Sequence, residues 1–239
     1  MADLVLFPRR VAPLGDEVQA CGARVARSQA SEIAERPSGW SHRPAGKLGA
    51  ALMTDVIDSD GFRANVGIVL MRGEGEVFLG RRTGGRGWQF PQGGVRVGEQ
   101  LEEAALRELH EEIGVSRTDV ELVGRTSRWL RYRLPARYIR RNQRPVCIGQ
   151  KQRWFLLRLK RADVEFDFGK TNEPEFDQWR WAPYWEPVKE VIYFKRLVYT
   201  RALVELAPIA FPQGQPAFPQ WWEAVTARRK APTAPAQIE

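Results

Sequence analysis

The sequence has few cysteines and no long apolar run, and both absences limit what the protein can be. Its two cysteines, Cys21 and Cys147, lie far apart and form no CxxC pair or other metal-binding spacing. We therefore expect neither a disulfide framework nor a zinc site, and a reduced cytoplasmic chain is the default interpretation. No apolar run approaches the ~18 residues that a membrane-spanning helix needs. The beginning, MADLVLFPRR, also lacks a signal-peptide core, so we expect a soluble protein with no membrane span and no export.

Acidic residues are missing from one long basic segment. Between Leu122 and Ala162 there is no Asp or Glu, and aromatic residues are interleaved with the cations. This pattern favours a surface that binds phosphates and stacks a base. The alternative is that residues alternate along strands, so that arginines face solvent and aromatics face the core. We expect this alternative to hold for Trp154 and for most of the arginines. The aromatics are Trp129, Tyr132, Tyr138, Trp154 and Phe155, and the cations are Arg125, Arg128, Arg131, Arg133, Arg137, Arg140, Arg141, Arg144, Lys151, Arg153, Arg158, Lys160 and Arg161.

The overall composition is that of a globular chain with a strong positive charge. A length of 239 residues, with 43% hydrophobic and 28% charged residues, suggests one sizeable domain with extensions. The formal net charge of +8 indicates an anionic partner, for which nucleic acid and an anionic membrane surface both qualify.

Three regions differ in pattern. Residues 1–54 mix Arg, Ser, Ala, Gly and Pro without a sustained period, and we expect a poorly ordered extension there, with a possible short helix over residues 15–34. Met53 is a possible alternative start of the chain. Residues 55–222 form the expected folded domain, and the Pro/Ala-rich residues 223–239 a disordered tail.

Within the domain, periodicity predicts strands and two principal helices. Their mixture favours an α/β sandwich over a doubly wound parallel sheet. The predicted strands are 64–72, 76–82, 120–125, 128–134, 151–159 and 178–181, and the predicted helices are 99–113 and 194–206, the second broken by Pro208.

The first predicted helix carries three glutamates near its C-terminal end, Glu108, Glu111 and Glu112. Like charges at this spacing repel, and the helix dipole disfavours acids at this end. A solvated acidic face is the usual explanation. Here, however, a helical wheel places them on the side of Ala104 and Ala105 and turns Arg107 toward the other side. Carboxylates facing a cleft need cations, and such ligands suit Mg²⁺ or Mn²⁺ completed by substrate phosphates.

The spacing of these residues is similar to a known motif. Gly93, Glu99 and the run RELHEEIGV that begins at Arg107 resemble the full Nudix box, whose other positions are Glu108, Leu109, Glu111, Glu112 and Gly114. The segments GFRANVGIVL, GWQFPQGG, WLRYRLP, IGQKQRWFLL, PEFDQWRW and FKRLVY resemble the bacterial RNA pyrophosphohydrolase subfamily over residues 58–206. The resemblance implies a Nudix fold, in which a mixed β-sheet lies between α-helices.

It also implies roles for individual residues. Glu108, Glu111, Glu112 and Glu175 correspond to metal-binding acids, with Glu111 and Glu175 both open as the general base. Arg107 resembles an arginine that holds a glutamate in place, and Glu99 an orienting acid. Contacts to RNA are implied for Arg63, Arg82, Tyr132, Gln150, Lys151, Phe194 and Lys195. Trp88, Phe90 and Pro91 are expected to serve packing rather than substrate contact.

The resemblance implies a Mg²⁺-dependent enzyme, with Mn²⁺ or another divalent cation able to substitute. Its expected substrate is 5′-triphosphorylated RNA, which it would convert to the monophosphate and so start 5′-end-dependent decay. A dinucleoside polyphosphate hydrolase is the alternative with the same chemistry. A non-catalytic RNA-binding module is the alternative of another class. No obligate protein partner is evident from the sequence.

Overall fold

The computed structural model describes residues 5–6, 56–85, 87–171 and 173–227. Within these ranges the chain forms nine strands and four α-helices joined by short 3-10 turns. The strands are β1 (Val5–Leu6), β2 (Phe62–Arg72), β3 (Glu76–Arg82), β4 (Trp88–Gln89), β5 (Gln92–Gly94), β6 (Val120–Arg125), β7 (Leu130–Arg133), β8 (Gly149–Leu159) and β9 (Phe176–Pro183). The helices are α1 (Leu101–Ile113), α2 (Pro187–Glu190), α3 (Arg196–Ala210) and α4 (Trp222–Thr226).

One mixed sheet contains all the described strands, in the order β1-β9-β3-β2-β8-β6. At its centre β2 runs parallel to β8, with Phe62 opposite Gly149 and Met71 opposite Arg158. The remaining pairings are antiparallel, including those of β4 with β3, β5 with β2 and β7 with β8. The long apolar run of β2 is what a strand covered on both faces requires.

Helices cover the two faces of this sheet. Alternate residues of β2, such as Ile68 and Leu70, pack with Ala104 and Leu109 of α1. The residues between them, such as Val69, pack with α2 and α3 on the opposite face. A mixed sheet between helices is therefore present, and the predicted fold class is confirmed.

The prediction missed two short strands in the loop that precedes α1. β4 and β5 interrupt a glycine-rich stretch that was expected to be irregular. They form because β3 and β2 offer antiparallel partners, as in the pairing of Val66 with Gly93. A non-local partner of this kind leaves little periodic signal in two or three residues.

Pro208 does not break the second long helix, contrary to the prediction. Pro208 lies inside the last turn of α3, which continues to Ala210. Proline removes one hydrogen bond, but its fixed φ is compatible with a helix. Ala207 and Ala210 are buried in the core, and their packing offsets the lost bond.

At both ends of the chain, described elements extend outside the predicted domain of residues 55–222. The backbone of Val5 pairs with Trp179 of β9, within the segment expected to be an extension. α4 continues past the predicted boundary at Trp222, and Trp222 and Val225 pack against the core. The possible helix over residues 15–34 and the last twelve residues, 228–239, lie outside the described residues. In the part of the chain described, no helix has the length and apolarity needed to cross a membrane.

Candidate active site

A cavity of about 950 Å³ lies where α1, the loop before it, and the ends of β2, β3 and β8 meet. Its wall includes ten residues that were singled out from the sequence, although these residues come from distant parts of the chain. They are Arg63, Arg82, Gly93, Glu108, Glu112, Tyr132, Gln150, Glu175, Phe194 and Lys195. The acidic cluster and the expected nucleotide contacts therefore share one cavity.

Glu112 is the least compensated acid of this cavity. Burial raises its pKa well above the usual value, and the nearby carboxylates of Glu108 and Glu175 raise it further. The backbone N–H of Gln92 donates to Glu112 Oε2 at 3.1 Å. Among the described residues, no cationic group lies within ion-pair distance of Glu112. A cation beside it would remove most of this cost.

Arg107 holds the other acids together. Its Nε and Nη2 donate to the two oxygens of Glu99 at 2.7 and 2.9 Å, and this bidentate contact lowers the pKa of Glu99. Its Nη1 donates to Glu108 at 2.6 Å and to Glu111 at 3.0 Å, and Nη2 also reaches the carbonyl oxygen of Gly94. The helical wheel turned Arg107 away from the glutamates, but its long side chain reaches back across the helix to them.

Two residues expected at the site lie outside the cavity wall. Glu111 is 35% exposed and bonds Arg96 and Arg107, and its expected metal-binding role stays a prediction. Lys151 bonds Asp58 at 2.9 Å. Successive side chains of a strand point to opposite faces. Because Gln150 lines the cavity, its neighbour Lys151 points to the other face of the sheet, and the phosphate contact expected of Lys151 stays a prediction.

The glycines of the motif have separate structural causes. A Cβ at Gly93 would collide with the carboxylate of Glu108, so the bare backbone makes room for the acid. Gly114 ends α1 in the left-handed region at φ 75°. A Cβ there would lie 2.7 Å from Asp167, so both the backbone conformation and the lack of space disfavour a side chain at this position. Leu109 is fully buried and anchors the helix in the core.

A hydrogen-bonded chain connects the expected base contacts to an acid. Lys195 Nζ donates to Gln89 Oε1 at 3.0 Å, and Gln89 Nε2 donates to Glu175 Oε1 at 3.0 Å. Arg82 Nε donates to the same Glu175 oxygen at 2.8 Å. Burial lowers the pKa of Lys195 to about 8. Sequence reasoning missed Gln89, whose only signal was a glutamine between two aromatic residues.

The expected nucleotide pocket is aromatic. The rings of Tyr132 and Phe194 lie 5.8 Å apart, and the Tyr132 hydroxyl donates to Gln150 at 2.6 Å. Trp88 lines the cavity, and its expected packing role stays a prediction, whereas Phe90 is fully buried as expected. Tyr138 and Arg140 of the acid-free basic segment line the cavity as well, as do Asn65 and Gln143, which were not singled out from the sequence.

The donors at this site fit a divalent cation in chemistry. Glu108, Glu112 and Glu175 line one cavity, and Glu112 is buried without a cationic partner in the described part of the chain. Hard carboxylate oxygens are what Mg²⁺ and Mn²⁺ prefer. The side chains are not preset, since no three His, Cys, Asp or Glu residues among those described already stand at metal-ligand spacing.

The folded domain is similar in sequence to known proteins. Residues 61–202 match the family model for the NUDIX domain. The chain is 57% identical over 164 residues to the RNA pyrophosphohydrolase of Alkalilimnicola ehrlichii, covering 69% of this chain and 91% of that protein. Identity to the RNA pyrophosphohydrolase of Escherichia fergusonii is 50% over 171 residues, covering 68% and 97%. Among solved structures, it is similar to E. coli dihydroneopterin triphosphate pyrophosphohydrolase at 18% identity and a TM-score of 0.48, over 59% of this chain and 94% of that one.

Proposed function

Because this chain belongs to the NUDIX domain family, we propose that it is an RNA pyrophosphohydrolase. It converts 5′-triphosphorylated RNA to 5′-monophosphorylated RNA, releases pyrophosphate or phosphate, and so starts 5′-end-dependent decay. Relatives that carry this name are 50–57% identical to the chain and nearly all of their length is covered. The cytoplasmic location expected from the cysteine usage stays a prediction.

The observation that carries the proposal is the sharing of one cavity by two kinds of group. Glu108, Glu112 and Glu175 supply hard oxygen donors. Aromatic rings and the cations Arg82 and Lys195 line the same cavity and can bind a base and phosphates. A polyphosphate attached to a nucleotide fits this combination of groups.

A divalent cation, Mg²⁺ by preference, would be held by Glu108, Glu112 and Glu175 and would supply Lewis-acid activation of phosphoryl oxygens and water. The chain itself positions the reacting groups. Arg107 fixes Glu108 against the loop, and the backbone N–H of Gln92 fixes Glu112. Arg63 and Gln150 line the cavity where they can orient the 5′ phosphates.

The geometry favours Glu175 over Glu111 as the general base. Glu175 lines the cavity, where a water attacking phosphorus has to sit, and Gln89 and Arg82 hold one of its oxygens. Glu111 lies outside the wall and is engaged by Arg96 and Arg107. A base must reach the proton that it removes, and the position of Glu175 supports its choice as the base.

The test of substrate class compares kcat/KM for a 5′-triphosphorylated RNA and a dinucleoside tetraphosphate under the same Mg²⁺ concentration. A higher value for the RNA supports the proposal. A higher value for the dinucleotide would move the function to the alternative hydrolase. No hydrolysis of either substrate, with RNA still bound, would indicate a binding module.

A further inference from the structure

The cavity extends beyond the groups used above, along residues 136–144, here called the 136–144 segment. Tyr138, Arg140 and Gln143 of this segment line the same cavity as the acids. The cavity volume of about 950 Å³ is near the upper end of the roughly 300–1,000 Å³ found for small-molecule sites. There is room for more of a nucleic acid than a triphosphate and one base.

Tyr138 presents an aromatic surface at this end of the cavity. Its side chain is 42% exposed, whereas Tyr132, deeper in the pocket, is buried. The Tyr138 ring lies 5.3 Å from that of Phe194 and so continues the aromatic surface outward. The Arg137 guanidinium lies 5.0 Å from the centre of the Tyr138 ring. An exposed ring next to a cation is a suitable platform for an unpaired base.

The charges around Tyr138 also suit a polyanion. Arg137, Arg140, Arg141 and Arg144 are all exposed. Over the described residues, none of these four forms an ion pair with an acid of the chain, and Arg144 instead donates to the carbonyl oxygens of Arg141 and Gln143. Cations without internal partners remain available to phosphates.

We propose that the 136–144 segment is a track for single-stranded RNA downstream of the 5′ end. A base beyond the first nucleotides stacks on Tyr138, and Arg140 contacts a backbone phosphate. The inference rests on the proposed function in taking RNA as the substrate. It extends the RNA contacts of the cavity beyond the 5′ triphosphate and the first base.

Binding is measured by displacing a 3′-labelled hexanucleotide with a 5′-monophosphate, using unlabelled hexanucleotide or dinucleotide as competitor. Tyr138→Ala is expected to weaken hexanucleotide binding by about 5-fold or more, which is the lower limit for losing one base–aromatic stack, and to leave dinucleotide binding unchanged. Tyr138→Phe, which keeps the ring, retains the affinity. Arg140→Ala lowers the slope of log K against log salt by about 0.7, as expected for one phosphate contact to a single strand.

Two matched variants separate the track from general effects. Tyr193 also touches Phe194, with ring centres 5.4 Å apart, and is exposed, but it does not line the cavity. Tyr193→Ala is expected to leave hexanucleotide binding unchanged. Arg128 is exposed and outside the cavity wall, so Arg128→Ala removes the same charge without changing the salt slope.

The track is overturned if Tyr138→Ala weakens both lengths equally, if Tyr193→Ala matches its effect, or if the wild type binds both lengths with the same affinity. Hydrolysis is read separately, from 5′-triphosphorylated RNAs of two and six nucleotides. Failure to hydrolyse either RNA contradicts the proposed function, whereas the binding assay still decides on the track.

Discussion

At the scale of single residues, Glu112 shows why the acidic cluster is destabilising without a bound cation. Its carboxylate is buried beside two other acids. Burial is the largest cause that raises its pKa, and the neighbouring carboxylates add to it. Arg107 and Arg96 neutralise Glu108 and Glu111 from outside the cavity. The chain therefore carries a destabilising charge in the one place where a cation and phosphates would use it.

Glu112→Gln is predicted to stabilise the protein in the absence of divalent cations. A raised carboxyl pKa in the fold means that the charged form is disfavoured, so the cost grows as pH rises above the unfolded value near 4.5. The amide removes this cost, and Tm should rise by about 2–4 °C for each kcal/mol relieved, more at pH 7.5 than at pH 5. Thermal unfolding with and without Mg²⁺ measures this, and Mg²⁺ should raise Tm of the wild type but not of Glu112→Gln.

The matched control is Glu121→Gln, which neutralises an exposed acid on β6. It should change neither Tm nor the response to Mg²⁺. A lower Tm for Glu112→Gln, or an undiminished Mg²⁺ response, would show that Glu112 is a structural acid and not a cation ligand.

Gln89→Met is predicted to reduce kcat with little change in KM. The methionine is close in size but removes both the donor to Glu175 and the acceptor for Lys195. A hydrogen bond to a charged group contributes about 1.5–3 kcal/mol, so a loss of kcat of roughly 10-fold or more is expected. Steady-state kinetics of a double-mutant cycle with Glu175→Gln checks this. Gln89→Met should lower kcat little further in a protein that already carries Glu175→Gln. Additive losses of kcat would contradict the link between Gln89 and Glu175.

At the scale of elements, the ends of α1 position the acids. The loop before the helix is tied to it through Glu99 and Arg107, and Gly114 ends it in the left-handed region. Each end has a chemical cause that a substitution can remove.

Gly114→Ala is predicted to destabilise the fold more than Gly98→Ala. Both glycines have a positive φ, which costs a residue with a Cβ about 1–2 kcal/mol. Around Gly98 the space is open, whereas a Cβ at Gly114 meets the backbone of Asp167 at 2.8 Å. Urea-induced unfolding should therefore show an extra loss of at least about 1 kcal/mol for Gly114→Ala. Equal losses of stability in the two variants would mean that the backbone at Asp167 moves aside freely.

Periodicity located most of the elements, and the misses share a physical cause. β2 was recognised because eleven residues with an apolar run leave a strong signal, and α1 because its apolar face repeats at helical spacing. β4 and β5 depend on partners distant in sequence. At the site, the motif identified the acids, but only the fold shows that Glu111 and Lys151 lie outside the cavity wall and that Gln89 lines it.

At the scale of the whole molecule, charge is separated along the chain. The formal charge is +8, and the acid-free segment between Leu122 and Ala162 contributes the cavity residues Arg140 and Gln150. An excess of positive charge around a cavity attracts polyanions and speeds their association.

RNA binding is therefore predicted to weaken steeply with salt. If at least three phosphates are contacted, the slope of log K against log salt for a 5′-monophosphorylated hexanucleotide should be about −2 or steeper. Fluorescence anisotropy over a range of NaCl concentrations gives the slope. An uncharged nucleoside measured in the same way should show almost none, and a slope near zero for the RNA would exclude a phosphate-binding surface.

The most direct test of the central claim is the state of the 5′ end after incubation of triphosphorylated RNA with the wild type, Glu112→Gln and Glu121→Gln, each with Mg²⁺ or with a chelator. We predict conversion to the 5′ monophosphate by the wild type and Glu121→Gln with Mg²⁺ only, and none by a folded Glu112→Gln. Conversion by Glu112→Gln at the wild-type rate, or an unchanged triphosphate with the wild type, would contradict the assignment of this cavity as an RNA pyrophosphohydrolase site.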